Sequence, residues 1–167
     1  MEVILVDNED NPKGTMEKMR AHKEGKLHRA FSIFIFNPNG ELLLQKRAKT
    51  KYHSPGLWTN TCCSHPSPGE KIQDAAHRRL QHEFGFDTEL EERFSFIYKK
   101  KFLNGLVEHE YDHVFVGMFD GEPVPNPAEI EEYMWVGLED LKRDMFESPD
   151  VYSFWFKLII KKYSDRL

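Results

Sequence analysis

The sequence predicts an α/β (α+β) sandwich of strands and helices. Two observations carry this prediction. Strand and helix patterns alternate along the chain, and no repeat, low-complexity segment or Gly/Ser-rich linker divides its 167 residues. With 40% hydrophobic residues the chain can bury one core, so we expect a single domain over residues 1–167.

Composition argues against several classes of partner. The net charge is −5 and no segment is dense in Lys or Arg, so nucleic acid is not expected. No apolar run approaches the ~20 residues that span a membrane, and the N-terminus lacks a signal-peptide pattern. The two cysteines, Cys62 and Cys63, are neighbours and poorly placed for a structural disulfide. We therefore expect a cytoplasmic protein with no membrane partner and a functional thiol.

The N-terminal elements follow from local patterns. Residues 2–6 are predicted to form a strand, and Thr15 is predicted to cap a short helix that ends near Gly25. Residues 29–36 and 41–47 flank the turn sequence NPNG, which predicts a hairpin.

The remaining elements start with a long functional loop over residues 49–69. Apolar residues at i+4 steps then predict a helix over 70–84, with Gly85 at its C-terminal cap. Further strands are predicted at 94–102, 106–119 and 131–137, followed by a short helix and a last amphipathic helix over 151–163.

The densest polar motif is TNTCCSHP, where Cys63 lies two residues before His65. This spacing indicates a nucleophilic thiol, an acid–base thiol or a metal ligand. The alternative is two small buried residues beside a solvent-facing histidine.

Glu108 and Glu110 form a second motif. On a strand they point to the same face, with His109 on the other. Two such carboxylates repel unless a metal ion or a shared proton lies between them, or unless both are simply solvated. Together with His22, His28 and His65 they supply a donor set suited to Mn²⁺, Mg²⁺ or Zn²⁺.

Residues 64–86 resemble the Nudix box, G-x5-E-x7-R-E-U-x-E-E-x-G-U. The pattern retains four positions and departs from it at three: Glu70, Arg78, Glu83 and Gly85 match, whereas Ser64, Arg79 and His82 replace a glycine and two glutamates. This resemblance implies a Nudix-type α/β/α sandwich with a mixed sheet. Loss of the metal-binding glutamates argues against Nudix hydrolysis.

The whole chain resembles the type I isopentenyl diphosphate isomerases, a branch of the Nudix superfamily. The resemblance is carried by LHRAFSIFIFNPNGELLLQKR, PGLWTNTCCSHPSPGE, VEHEYDHVF and YSFWF. It implies isomerisation of a small prenyl diphosphate, isopentenyl diphosphate, to dimethylallyl diphosphate in isoprenoid biosynthesis.

The resemblance also implies roles for individual residues. Cys63 and Glu110 would be catalytic, with Tyr98 relaying a proton and Trp155 stabilising a carbocation through its ring face. The implied site for Mn²⁺ or Zn²⁺ consists of His22, His28, His65, Glu108 and Glu110. A substrate-associated Mg²⁺ would be held by Glu83 and the backbone carbonyl of Cys63. The diphosphate would contact Lys18, Arg47, Lys51 and Arg79.

As a hypothesis, the Glu110 region protonates C4 of the substrate and a Cys63 thiolate removes a proton from C2. Two other functions stay open at this point. A Nudix hydrolase would need the glutamates that Arg79 and His82 replace, and a zinc-binding interaction module would need a second Cys/His pair. Trp155 would also fit the core of the last helix.

Overall fold

The computed structural model describes residues 1–167 as a nine-stranded sheet with helices on both faces. The strands are β1 (Glu2–Val6), β2 (Pro12–Glu17), β3 (His28–Phe36), β4 (Glu41–Arg47), β5 (Trp58–Thr59), β6 (Cys62–Ser64), β7 (Leu90–Lys101), β8 (Val107–Met118) and β9 (Ile130–Gly137). The helices are α1 (Lys18–Glu24), α2 (Ile72–Phe84), α3 (Leu138–Glu147) and α4 (Phe154–Tyr163). None of them combines the length and the apolar character that crossing a membrane would require.

Strand β3 organises the sheet. It runs parallel to β8 from the pair His28–Glu110 to the pair Phe36–Met118, and β8 forms a long antiparallel hairpin with β7. Strand β4 runs antiparallel to β9, and β1 joins β2 to the edge beside His28. Because both orientations occur, the predicted mixed sheet is confirmed.

Alternating side chains of β3 and β4 pack into two hydrophobic cores, one on each face of the sheet. Phe31, Ile33 and Leu43 pack with α2 on one face. Phe34 and Leu42 pack with α3 and α4 on the other. The sheet therefore lies between two helical layers, as the predicted sandwich requires.

The predicted hairpin between residues 29–36 and 41–47 is wrong beyond its turn. Strands β3 and β4 pair only at Phe36–Leu42, and then diverge. The segment 58–64, which contains β5 and β6, lies between them: β6 pairs with β3 and β5 with β4. We call residues 58–64 the inserted segment. Part of the predicted long loop is therefore sheet structure.

Side chains of the inserted segment replace the missing hydrogen bonds between β3 and β4. The Thr61 hydroxyl accepts from the Ile35 amide at 3.0 Å and donates to the Leu43 carbonyl at 2.7 Å. The Asn60 amide nitrogen donates to the carbonyls of Ile33 at 3.1 Å and Cys62 at 2.8 Å. The Ile35 amide and the carbonyls of Ile33 and Leu43 thus keep partners where the two strands separate, which offsets the cost of opening the sheet there.

The predicted N-cap at Thr15 is also wrong. Thr15 pairs with Ile4 inside the β1–β2 ladder, so the strand continues to Glu17. The Glu17 carboxylate instead accepts from the amides of Met19 and Arg20, and α1 ends as predicted at Gly25, where φ is +64°. Helix α4 begins later than predicted, at Phe154, because a 3₁₀ turn occupies residues 149–151.

Thr61→Val should destabilise the fold, because it leaves the Ile35 amide and the Leu43 carbonyl buried without a partner. We expect the free energy of unfolding to fall by ~2–4 kcal/mol in denaturant titrations. Thr50→Val, at an exposed turn position, is the control and should change it by less than ~0.5 kcal/mol. Equal stability of the two variants would contradict the bridging role of Thr61.

Candidate active site

Four potential metal ligands meet where β3 and β8 begin to pair. His22 comes from α1, His28 opens β3, His65 follows the inserted segment and Glu110 lies on β8. Their ligand atoms lie within 4.8 Å of one another, and all four residues are buried. The Glu110 Oε1 atom lies 3.1, 3.6 and 4.0 Å from the Nε2 atoms of His65, His28 and His22. The structure thus brings together four of the five residues predicted for this site, without Glu108, and their role as metal ligands stays a prediction.

Backbone carbonyls fix the orientation of two of the imidazoles. Nδ1 of His22 lies 2.9 Å from the Lys18 carbonyl, and Nδ1 of His28 lies 2.8 Å from that of Lys26. A carbonyl only accepts, so each Nδ1 carries the proton and each Nε2 presents a lone pair to the cluster. Both Nε2 atoms are buried without a hydrogen-bond partner. This donor set fits a divalent metal ion.

Two opposite shifts keep His65 and Glu110 in the forms that bind metals, because burial acts on His65 and the histidine contacts act on Glu110. Burial lowers the pKa of His65 to about 3, with Lys18 adding to the effect and Glu110 opposing it. Burial alone would raise the pKa of Glu110, but contacts with the three histidines hold it well below its usual value. The imidazole of His65 is thus neutral and the Glu110 carboxylate ionised, which are the forms that bind metals.

Glu108 shares the buried face of β8 but lies beside the four ligands. The Tyr98 hydroxyl lies 2.8 Å from Glu110 Oε2 and 3.1 Å from Glu108 Oε2, so its one proton bridges two carboxylates. Burial and the Glu110 charge raise the pKa of Glu108 well above its usual value, while the Tyr98 contact opposes them. Glu108 therefore favours the protonated form in this arrangement, as expected for two carboxylates on one face.

Cys63 lies in β6 opposite Ser32 of β3, and its side chain lines the same cavity as Glu110. Burial raises its pKa to about 12, with Arg47 opposing and Glu110 adding to the rise. The neutral thiol is favoured in this arrangement, whereas the sequence left the resting protonation states of Cys63 and Glu110 open. Cys62, its neighbour, points to the opposite face and is fully buried in the core under α2.

Four cations reach this cavity, as the resemblance implied: Lys18, Arg47, Lys51 and Arg79. Burial lowers the pKa of Lys18, although the charge of Glu110 opposes this shift. Arg79 contacts the buried carboxylate of Glu83, one turn along α2. Clustered cations in a net acidic chain are suited to a polyanionic ligand.

Trp155 belongs to both the core and the cavity. Its side chain is buried in the core under α4, and one edge of the cavity is formed by its ring. Its indole N–H donates to Asn60 Oδ1 at 3.2 Å, which fixes the ring plane. The guanidinium of Arg47 lies 5.4 Å from the ring centroid, so the indole already faces a cation.

Every predicted site residue except His22, His28 and Glu83 lines this one cavity. Its volume is about 80 Å³, well below the ~300–1,000 Å³ of typical small-molecule pockets. Tyr52 and His53, from the loop that follows β4, form part of its wall.

Sequence reasoning missed two polar groups at the site, buried Asp112 and half-buried His53. Asp112 accepts from the Ser32 hydroxyl at 2.8 Å, and burial together with Glu110 raises its pKa. The strand alternation that paired Glu108 with Glu110 extends to Asp112 and would have identified it. His53, whose Nδ1 lies 3.2 Å from Glu108 Oε1, carries no such signal, because only the path of its loop brings it to the site.

Comparisons with known proteins agree with this geometry. The NUDIX domain family matches residues 26–156. The isopentenyl-diphosphate Delta-isomerase 2 of Aromatoleum aromaticum is 56% identical over 92% of this chain and 82% of its own length. The protein of the same name from Photorhabdus laumondii is 55% identical over 97% of this chain and 92% of its own.

Solved structures show the same fold at low sequence identity. A protein of Deinococcus radiodurans superposes with a TM-score of 0.80 at 19% identity, covering 98% of this chain and 99% of its own. A MutT protein of Methanosarcina mazei gives 0.69 at 18% identity, covering 83% and 94%. With the Nudix fold established and relatives above 50% identity over nearly the full length, the chain belongs to the isopentenyl-diphosphate Delta-isomerase family of the Nudix superfamily.

Proposed function

We propose that this chain isomerises isopentenyl diphosphate to dimethylallyl diphosphate. The observation that carries the proposal is a single cavity lined by the Cys63 thiol, by the Glu110 carboxylate and by four cations. The Glu110 carboxylate accepts a hydrogen bond from the Tyr98 hydroxyl. The names of the similar proteins support the same substrate. An isomerase of this kind serves isoprenoid biosynthesis, and its two free cysteines suit the reducing cytoplasm.

The double-bond shift adds a proton at C4 and removes one from C2. We assign addition to Glu110, with Tyr98 hydrogen-bonded to it at 2.8 Å, and removal to Cys63. Each turnover then moves one proton from carboxyl to sulfur and leaves the total unchanged. The pKa of Cys63 is raised and that of Glu110 is lowered, so one proton must first pass from the Cys63 thiol to the Glu110 carboxylate. Addition of that proton at C4 and removal of one from C2 by the thiolate then restore the starting forms of both groups. The burial that raises the pKa of Cys63 also makes its sulfur a strong base once it is deprotonated.

A tertiary cation develops at C3 between the two proton transfers. The face of Trp155 would stabilise it, because an aromatic quadrupole attracts positive charge without forming a bond. In the structure Arg47 lies over this ring, at 5.4 Å from its centroid. The diphosphate would draw Arg47 towards its oxygens and leave the ring face to the hydrocarbon.

The anionic end of the substrate would lie among Lys18, Arg47, Lys51 and Arg79. Fixing the diphosphate at one end orients the short hydrocarbon between Cys63 and Glu110.

The residues suited to hold a divalent ion are the three histidines and Glu110, with Glu108 beside them. Mn²⁺, Mg²⁺ and Zn²⁺ all accept this mixture of imidazole and carboxylate. A substrate-borne Mg²⁺ would be held by Glu83 and the Cys63 carbonyl. Such ions supply positive charge that neutralises the diphosphate and the acidic face of β8.

Proton NMR in D₂O tests the proposed reaction directly. With isopentenyl diphosphate and Mg²⁺ present, we expect loss of the vinyl signals, formation of dimethylallyl diphosphate and deuterium incorporation. Loss of the diphosphate signals in phosphorus spectra without isomerisation would instead identify a hydrolase.

Cys63→Ser and Glu110→Gln should each abolish turnover without unfolding the chain. Removing a proton-transfer group costs ~10²–10⁴-fold in rate. We expect losses at the upper end, because each group handles one of two obligatory steps. The NMR assay measures the rate and circular dichroism checks the fold. Near-normal turnover by either variant would rule out its assignment.

His28→Gln should weaken metal binding, because it removes one of the orphaned Nε2 donors. After chelation and reloading with Mn²⁺, we expect metal to be retained by the wild type and lost from the variant in a metal-content assay. His77→Gln is a matched control, because His77 lies on α2 and pairs with Asp87, away from the cluster. Equal metal content in all three proteins would contradict the proposed site.

A further inference from the structure

Glu129 lies just before β9 and contacts two of the four cations that line the cavity. Its carboxylate is hydrogen-bonded to the Lys51 ammonium, and its Oε1 lies 3.4 Å from Arg79 Nη2. Its side chain is 16% exposed, so these contacts are partly shielded from solvent. No sequence motif marks this residue.

The contacts determine the position of Glu129 from several sides. Its backbone carbonyl accepts from the Ala48 amide at 3.0 Å, which ties β9 to the loop that carries Lys51. Its amide donates to the Asn126 carbonyl at 3.0 Å. His82, on the exposed side, lies 3.5 Å from the same carboxylate. The backbone is therefore fixed independently of the ion pairs, and the carboxylate is presented to the cations.

The charge balance of the site explains why such a carboxylate is needed. Lys51 and Arg79 line a cavity that also contains Lys18 and Arg47, and like charges repel. Burial alone would raise the pKa of Glu129, but Lys51 and Arg79 outweigh it and lower the pKa, so the group is ionised. One anion thus holds two flexible cations beside the cavity.

We propose that Glu129 is a positioning residue that orients Lys51 and Arg79 for the diphosphate of the substrate. This inference rests on the proposed function. A long lysine side chain loses much rotational freedom when it binds a ligand, and an ion pair already formed reduces that loss. The carboxylate acts only through the two cations, so substrate affinity is the quantity that depends on it.

Glu129→Gln should raise both the KM for isopentenyl diphosphate and the Kd for inorganic pyrophosphate in the presence of Mg²⁺. We expect about tenfold in each, the scale of one charge-assisted hydrogen bond. The kcat should stay within about twofold, because the residue does not contact the reacting carbons. A purely structural role would lower kcat through the folded fraction and leave KM and Kd unchanged.

Glu131→Gln is the matched control, because Glu131 lies two residues along and contacts Lys46 and Lys49, away from the cavity. It should leave KM and Kd at the wild-type values. In a Lys51→Met background, Glu129→Gln should raise Kd less than it does alone, because one of the two cations through which it acts is gone. Should Glu129→Gln fail to fold, Glu129→Asp carries the test, since its shorter carboxylate withdraws from Lys51 and must also raise Kd.

Two results would overturn the inference. One is a folded Glu129 variant whose KM and Kd equal the wild-type values. The other is a rise in Kd that is as large in the Lys51→Met background as in the wild type. Pyrophosphate binding measured by calorimetry tests the role of Glu129 separately from the proposed isomerase reaction. If the wild type binds pyrophosphate without isomerising the substrate, the proposed reaction fails. The inference about Glu129 is then still decided by the Kd values.

Discussion

The site depends on the opening between β3 and β4, and on the hydrogen bonds that hold it open. The inserted segment separates two strands that an ordinary hairpin would pair, and Thr61 and Asn60 satisfy the backbone groups left behind. Because Asn60 also accepts from the Trp155 indole, the same side chains orient the aromatic wall of the cavity. Cys63 follows directly in β6, where pairing with Ser32 sets its direction.

The parallel pairing of β3 with β8 supplies the other half of the site. It sets His28 beside Glu110, while strand alternation turns Glu108, Glu110 and Asp112 to one buried face. Three buried carboxylates are costly unless positive charge or protons offset them. His65 lies against Glu110, the Tyr98 hydroxyl contacts both Glu110 and Glu108, and the Ser32 hydroxyl donates to Asp112, so each carboxylate has a compensating partner. The proposed metal site and the proposed proton-transfer groups therefore share one buried acidic face of β8.

Sequence was sufficient for the layers of the fold, because apolar periodicity reports which face of each element is buried. It also named His28, His65 and Glu110 through motifs that carry a family resemblance, and His22 outside those motifs; the structure brings the four together, and their role as metal ligands stays a prediction. The sequence prediction failed where long-range strand pairing overrode local signals. The NPNG turn predicted a hairpin that the inserted segment interrupts. Thr15 was predicted to be an N-cap, but it pairs with Ile4 in the β1–β2 ladder. His53 and Glu129 were missed because their contacts are made by loops whose paths no local pattern specifies.

The central claim is that the opened sheet brings ligands from four separate elements to one point beside Cys63. A crystal structure of the chain soaked in Mn²⁺, with an anomalous difference map, tests it most directly. The account predicts a peak within bonding range of His22, His28, His65 and Glu110, with the Cys63 sulfur facing the adjoining cavity. No peak there, or β3 and β4 paired as a continuous hairpin, would contradict it.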